Sequence, residues 1–157
     1  MRIATVGAMA IAAGVLGGRA NEAIADTVLP PEVAAAFEAR SFVDAADAAA
    51  PFTLPYRLMR PIEEAPGQRY PAVVFLHGFG ERGSDNERQL LNGGAVFAAD
   101  AFRRAHPAFF IAPQCPGGLE PGTDRERAWI HRLAPGGPAT IDLDAPPTAQ
   151  LAAVHHL

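Results

Sequence analysis

At 157 residues the chain is one modest domain by length, and its 49% hydrophobic content is enough for a packed core. A net charge of −4 with 19% charged residues gives no argument for nucleic acid or an anionic membrane surface as partner. The single cysteine excludes an internal disulfide framework.

All 13 basic residues are arginine; beside abundant Ala, Gly and Pro, this reflects codon usage in a GC-rich genome, not a basic patch. Residues 1–25 have the form of an export signal, with Arg2 as a minimal positive start, an uncharged apolar stretch over 3–18 and a small-x-small site at Ala23-Ile24-Ala25 before Asp26. The apolar stretch is short of the about 20 residues a membrane span needs, so no stable span is expected. Residues 26–157 then form the mature domain, and a periplasmic or extracellular location follows.

Pro30-Pro31 before EVAAAFEAR predicts a helix with proline in its first turn, while the alternation of FEARSFV predicts a strand over 37–43. FTLPYRLMR over 52–60 alternates Phe52, Leu54, Tyr56 and Leu58 on one side, and pairs with the preceding strand in an antiparallel hairpin. Pro55 has no N–H for a ladder, so an edge or a bulge is expected there. AVVFL over 72–76 is a continuous apolar run, which predicts a parallel strand buried on both faces. Helical pieces are expected over 85–91 and 95–105, and AFFIA over 108–112 is a second buried strand, completing a βαβ unit. The stretch 116–147 is loop-rich, and TAQLAAVHHL starts a helix with Thr148 as N-cap.

The chemistry-bearing segment is YPAVVFLHGFGERGSDNE, residues 70–87. A strand that ends in His77-Gly78 and turns through Phe79-Gly80 can aim backbone N–H groups into a pocket, and glycine suits a position of unusual φ or close substrate approach. Such donors stabilise the oxyanion of an acyl-transfer transition state.

The stretch LPYRLMRP…YPAVVFLHGFGERGSDNERQLLNGG…PAFFIAPQCP…W resembles the α/β-hydrolase superfamily, in its bacterial exported branch of esterases and predicted peptidases related to polyhydroxybutyrate-depolymerase-like and phospholipase/carboxylesterase-like enzymes. The resemblance covers residues 37–129. It implies an α/β fold made of an antiparallel pair and then a βαβ unit, the N-terminal portion of a larger sheet. It implies that Phe79 gives its backbone N–H to an oxyanion hole, that His77, Gly78, Gly80, Glu81 and Arg82 form the loop, with Glu81, Arg82 and Asn86 bracing the turn and shaping the pocket, and that Trp129 occupies an aromatic position after the fourth strand. It also implies a small-molecule ester or peptide substrate for the complete enzyme, and neither cofactor nor metal.

The chain departs from that pattern in one respect. Its two serines, Ser41 and Ser84, stand outside any Gly-x-Ser-x-Gly, and Asp142, Asp144, His155 and His156 match neither the acid nor the base of the family. The expectation is an N-terminal fragment that is inactive by itself, with residues 72–76 at an open sheet edge that invites self-association. Cys115 in QCPGG is expected to be a buried structural thiol, Ser84 a loop hydroxyl, and the His77 ring a local packing or bonding partner. Adjacent His155 and His156 point about 100° apart on a helix and make no metal pair, and His106 and His131 have no ligand-like neighbours. Two alternatives stand beside the hydrolase reading: a non-catalytic exported binding module that reuses the half-fold, and an unrelated small α/β enzyme using Cys115 or His77.

Overall fold

The structure, a computed structural model, describes residues 28–46, 51–118, 127–129 and 146–157. The expected export signal, His131, Asp142 and Asp144 lie outside the described residues. The fold is α/β. A four-stranded mixed sheet runs in the order β1 (Glu38–Asp44), β2 (Phe52–Met59), β4 (Phe109–Pro113), β3 (Ala72–Val74). β1 and β2 are antiparallel with Arg40 opposite Tyr56, β2 and β4 are antiparallel with Arg57 opposite Ala112, and β3 lies parallel to β4 with Val73 opposite Phe110.

Both expectations for the first segment hold in succession. Pro31 opens α1 (Pro31–Ala36), and Phe37 turns extended, at φ −120° and ψ 120°, to begin β1. In β2 the alternation is as expected, yet the main core takes the other face. Met59 and the neighbouring Phe110 join Leu29, Val33, Phe37, Leu90 and Ala112 there, packed under α1 and α2 (Gly94–Ala98). The rings of Phe97 and Phe110 stack 4.2 Å apart at its centre. Leu54, on the opposite face, is also fully buried, and α4 (Ala149–His156) lies against β2.

Pro55 is a correction: β2 is an interior strand. Its carbonyl accepts the Gln114 N–H at 2.8 Å, so the backbone edge of Pro55 faces β4, beyond the last Tyr56–Pro113 pair. The missing N–H therefore falls at a ladder end and breaks no bond to β1.

β3 pairs in parallel and lies at the sheet edge as expected, but its length and burial are a second correction: it spans three residues, and Val73, Val74 and the following Leu76 are 42%, 46% and 40% exposed. Continuous apolarity signals cover on both faces, and the described residues do not supply that cover.

The expected helix over 95–105 is two: α2 and α3 (Asp100–Ala105), separated where Ala99 takes ψ 128°. α2 starts behind Gly93, whose φ of +107° disfavours any side chain. The expected helical piece over 85–91 reduces to a single 3₁₀ turn, Arg88–Leu90. Thr148 caps α4 as expected, its Oγ1 accepting the Leu151 N–H at 3.1 Å. No helix among the described residues is long and apolar enough to cross a membrane.

Candidate active site

β3 ends at Val74, and the chain runs on through Phe75 and Leu76 to His77 before it turns through a 3₁₀ helix, Phe79–Glu81. The first residues of a helical turn have no intrahelical acceptor for their N–H groups. Accordingly the N–H groups of Phe79 and Gly80 have no partner among the described residues. Phe79 as a residue is 60% exposed.

Of the two reasons for glycine in this turn, unusual φ does not apply. Gly78 has φ −77°, and neither it nor Gly80 is among the glycines of positive φ. A Cβ on Gly78 would stand 3.0 Å from Glu81 Oε2, so that position needs room for a carboxylate, and nothing lies within 4 Å of a Cβ on Gly80.

Glu81 faces inward and ties the turn to the following loop: its Oε1 accepts a short hydrogen bond from Asn92 Nδ2. Arg82 stacks on the exposed Phe79 ring, with its guanidinium carbon 3.4 Å from the ring centre, and donates from Nε to Phe79 O at 3.1 Å. Its Nη1 reaches Arg127 O at 2.6 Å. The stack fixes the ring that follows the donor N–H.

Beyond Arg82 the loop is locked to the sheet by three polar residues. Asn86 sits at φ +56°, and its Nδ2 bonds Arg40 O and Tyr56 O at 3.3 and 3.2 Å, across the β1–β2 pair. Gln114, fully buried at the end of β4, donates to Glu81 O at 3.2 Å and Asp85 Oδ1 at 3.1 Å, and accepts Asn86 N–H at 2.6 Å. Arg57 reaches from β2 to Asn86 O at 2.6 Å and Phe37 O at 3.2 Å. Asn86 is a bracing residue as the family resemblance implies, whereas Gln114 and Arg57 are additional anchors. Their signal in the sequence is a lone arginine in a strand and a lone glutamine just past one, each flanked by apolar residues, where a buried polar group must find partners.

His77 is buried, and Trp129 packs edge-on against it at 5.3 Å. The Trp129 indole N–H donates to His77 O at 3.1 Å, and Trp129 O accepts from Thr148 Oγ1 at 3.0 Å. The ring itself bridges two backbone groups, Cys115 N at 2.9 Å and Gly78 O at 2.6 Å. Burial pushes its pKa down, against the opposing pull of the Gly78 carbonyl and Glu81. A ring committed in this way braces the turn.

Cys115 is fully buried and free, and burial pushes its thiol up to about 11, with Arg82 and Arg127 pulling the other way. That environment opposes thiolate formation. Ser84 is exposed in the loop. The neighbouring carboxylate does the turn's bonding: Asp85 Oδ1 accepts from Glu87 N at 2.7 Å and Arg88 N at 2.8 Å. Burial raises the Asp85 pKa, but these bonds outweigh it and hold the carboxyl below its ordinary value. His156 pairs with Asp44 Oδ2 at 2.9 Å and His106 stacks on Phe102 at 4.8 Å. Among the described residues no group of three or more His, Cys, Asp or Glu is placed to hold a metal ion.

The chain is similar to a solved structure described as a thermostable esterase, with 43% sequence identity over 54% of this chain and 22% of that one, at a TM-score of 0.48. It thus spans about a fifth of the length of that protein. No family model matches the chain, and no curated protein matches it.

Proposed function

We propose that this chain carries the oxyanion-hole half of an exported serine hydrolase of the carboxylesterase or peptidase type. The observation that carries the reading is the Phe79 N–H, which has no partner among the described residues and stands on an exposed residue of a turn whose loop is anchored to β1, β2 and the end of β4. In an acyl transfer this donor would bind the carbonyl oxygen as it gains charge, with the second donor coming from the residue after the nucleophile. Neither of the two serines lies in a nucleophile elbow, so the 157 residues by themselves would not form an acyl-enzyme. The small-molecule substrate is an ester or a peptide, and export follows from the leader-like residues 1–25.

The test reads the gene past codon 157 in all three frames for a Gly-x-Ser-x-Gly segment, joins it in frame, and assays a short-chain aryl ester. Hydrolysis that a serine-directed phosphonate abolishes supports the reading. A folded joined chain that neither hydrolyses the ester nor reacts with the phosphonate contradicts it. Export is tested separately by fractionation: a periplasmic or secreted product beginning at Asp26 is expected, and a cytoplasmic product that retains Met1 or Arg2 contradicts it.

A further inference from the structure

We propose that His77 is a pH-operated latch between the end of β4 and the turn that carries Phe79. The latch goes beyond the hydrolase reading and holds whatever reaction the turn serves.

A neutral imidazole has one proton for two nitrogens. Nε2 faces the Cys115 N–H at 2.9 Å, so it must accept, and the proton resides on Nδ1, which donates to Gly78 O at 2.6 Å. The side chain is only 1% exposed. A second proton has one place to go, the Nε2 lone pair. It would turn the acceptor into a donor facing another donor, and the Cys115 bond would be lost. The bond to Gly78 survives, because Nδ1 still carries its proton. Protonation therefore frees the turn from β4 at one point.

The surrounding charges are few. From the same loop, Glu81 Oε2 lies 4.0 Å from Nδ1 and favours the imidazolium, as does Asp85, while Arg82 opposes it. From β4 come the uncharged Gln114 and the neutral Cys115 thiol, and from the segment 127–129 the Trp129 indole. Burial dominates, so the folded protein binds this proton less readily than the unfolded chain, whose imidazole titrates near 6.5. The sign follows: the contribution of the latch is complete above about 6.5 and falls as pH drops below it.

The further anchors of the loop do not depend on the ring. Gly83 N donates to Cys115 O at 3.0 Å, and Gln114 holds Asp85 and Asn86. Residues 77–80 would loosen while 83–90 stay docked.

Trp129 reports on the latch directly, because it is the only tryptophan and its ring touches His77. The experiment titrates the dilute full chain from about pH 8 to about pH 5, reading tryptophan emission and hydrogen exchange corrected for intrinsic rates. The expected result is an emission change with a midpoint below 6.5. Protection of the Cys115 N–H, which the ring accepts, and of the Glu81 N–H falls about tenfold at the same midpoint, while 83–90 and the far-ultraviolet circular dichroism hold. His77→Gln removes the emission step. An emission step that persists in a folded His77→Gln chain, or an equal change in exchange at those two N–H groups and over 83–90 through the titration, overturns the proposal. So does loss of secondary structure at the same midpoint. If His77→Gln does not fold, the exchange contrast in the unsubstituted chain decides.

Discussion

Gln114 Oε1 accepts the backbone N–H of Asn86 at 2.6 Å, joining the end of β4 to the far side of the loop that begins at His77. The same amide donates to Glu81 O and Asp85 Oδ1, so one buried side chain meets three points of the loop.

Replacing Gln114 with Ala removes these bonds and leaves buried backbone groups unpaired. A loss of about 2–4 kcal/mol is expected, read as a lower urea midpoint at unchanged slope. A midpoint within error of the parent chain would show that water or neighbouring groups replace the amide.

Asn86 combines left-handed backbone with a side chain that bridges β1 and β2. Asn86→Ala is expected to cost about 2–3 kcal/mol, from lost bonds and from a Cβ at positive φ. Asn86→Gly relieves the second cause and is expected to recover about 1 kcal/mol of that loss. Equal stability of the two variants would mean that the backbone conformation contributes nothing.

The antiparallel pair, the parallel β3–β4 pairing and the Thr148 cap were legible because each follows from local pattern: alternation, apolar run, and a hydroxyl before a helix. The exposure of Val73 and Val74 was not, since an apolar run records what a strand is built to touch and not whether the neighbour is there. The break at Ala99 has no proline or glycine to announce it; the residue simply leaves helical ψ. At the candidate site, the turn was readable from His77-Gly78-Phe79-Gly80. The bracing by Gln114 and Arg57 was not, because their partners are 28 and 29 residues away in sequence and are met only across the sheet.

Cys115 is expected to resist alkylation. Burial pushes its thiol up to about 11 and closes it off from solvent, so at about pH 8 iodoacetamide should label the folded chain at least about a hundredfold more slowly than the urea-unfolded chain. Labelling at the unfolded rate would place the thiol at the surface and reopen the reading in which it acts as a nucleophile.

The open edge at β3 is expected to make the chain self-associate. Residues 72–76 carry no charge and no proline to block strand addition. Sedimentation velocity across a concentration series should show growing oligomers, and Val74→Lys should return the chain to monomer without loss of secondary structure. A parent chain that stays monomeric and melts in one sharp cooperative transition would contradict this.

Phe79→Pro deletes the backbone N–H donor together with the ring on which Arg82 stacks. Proline is tolerated in the first position of a helical turn, where the N–H has no backbone partner. Phe79→Leu keeps the donor and changes only the side chain. In the enzyme joined to its Gly-x-Ser-x-Gly segment, kcat for an aryl ester is expected to fall about 10²–10³-fold in Phe79→Pro and to stay within about tenfold of the parent in Phe79→Leu. Equal rates in the two folded variants would contradict the assignment of this turn as an oxyanion hole.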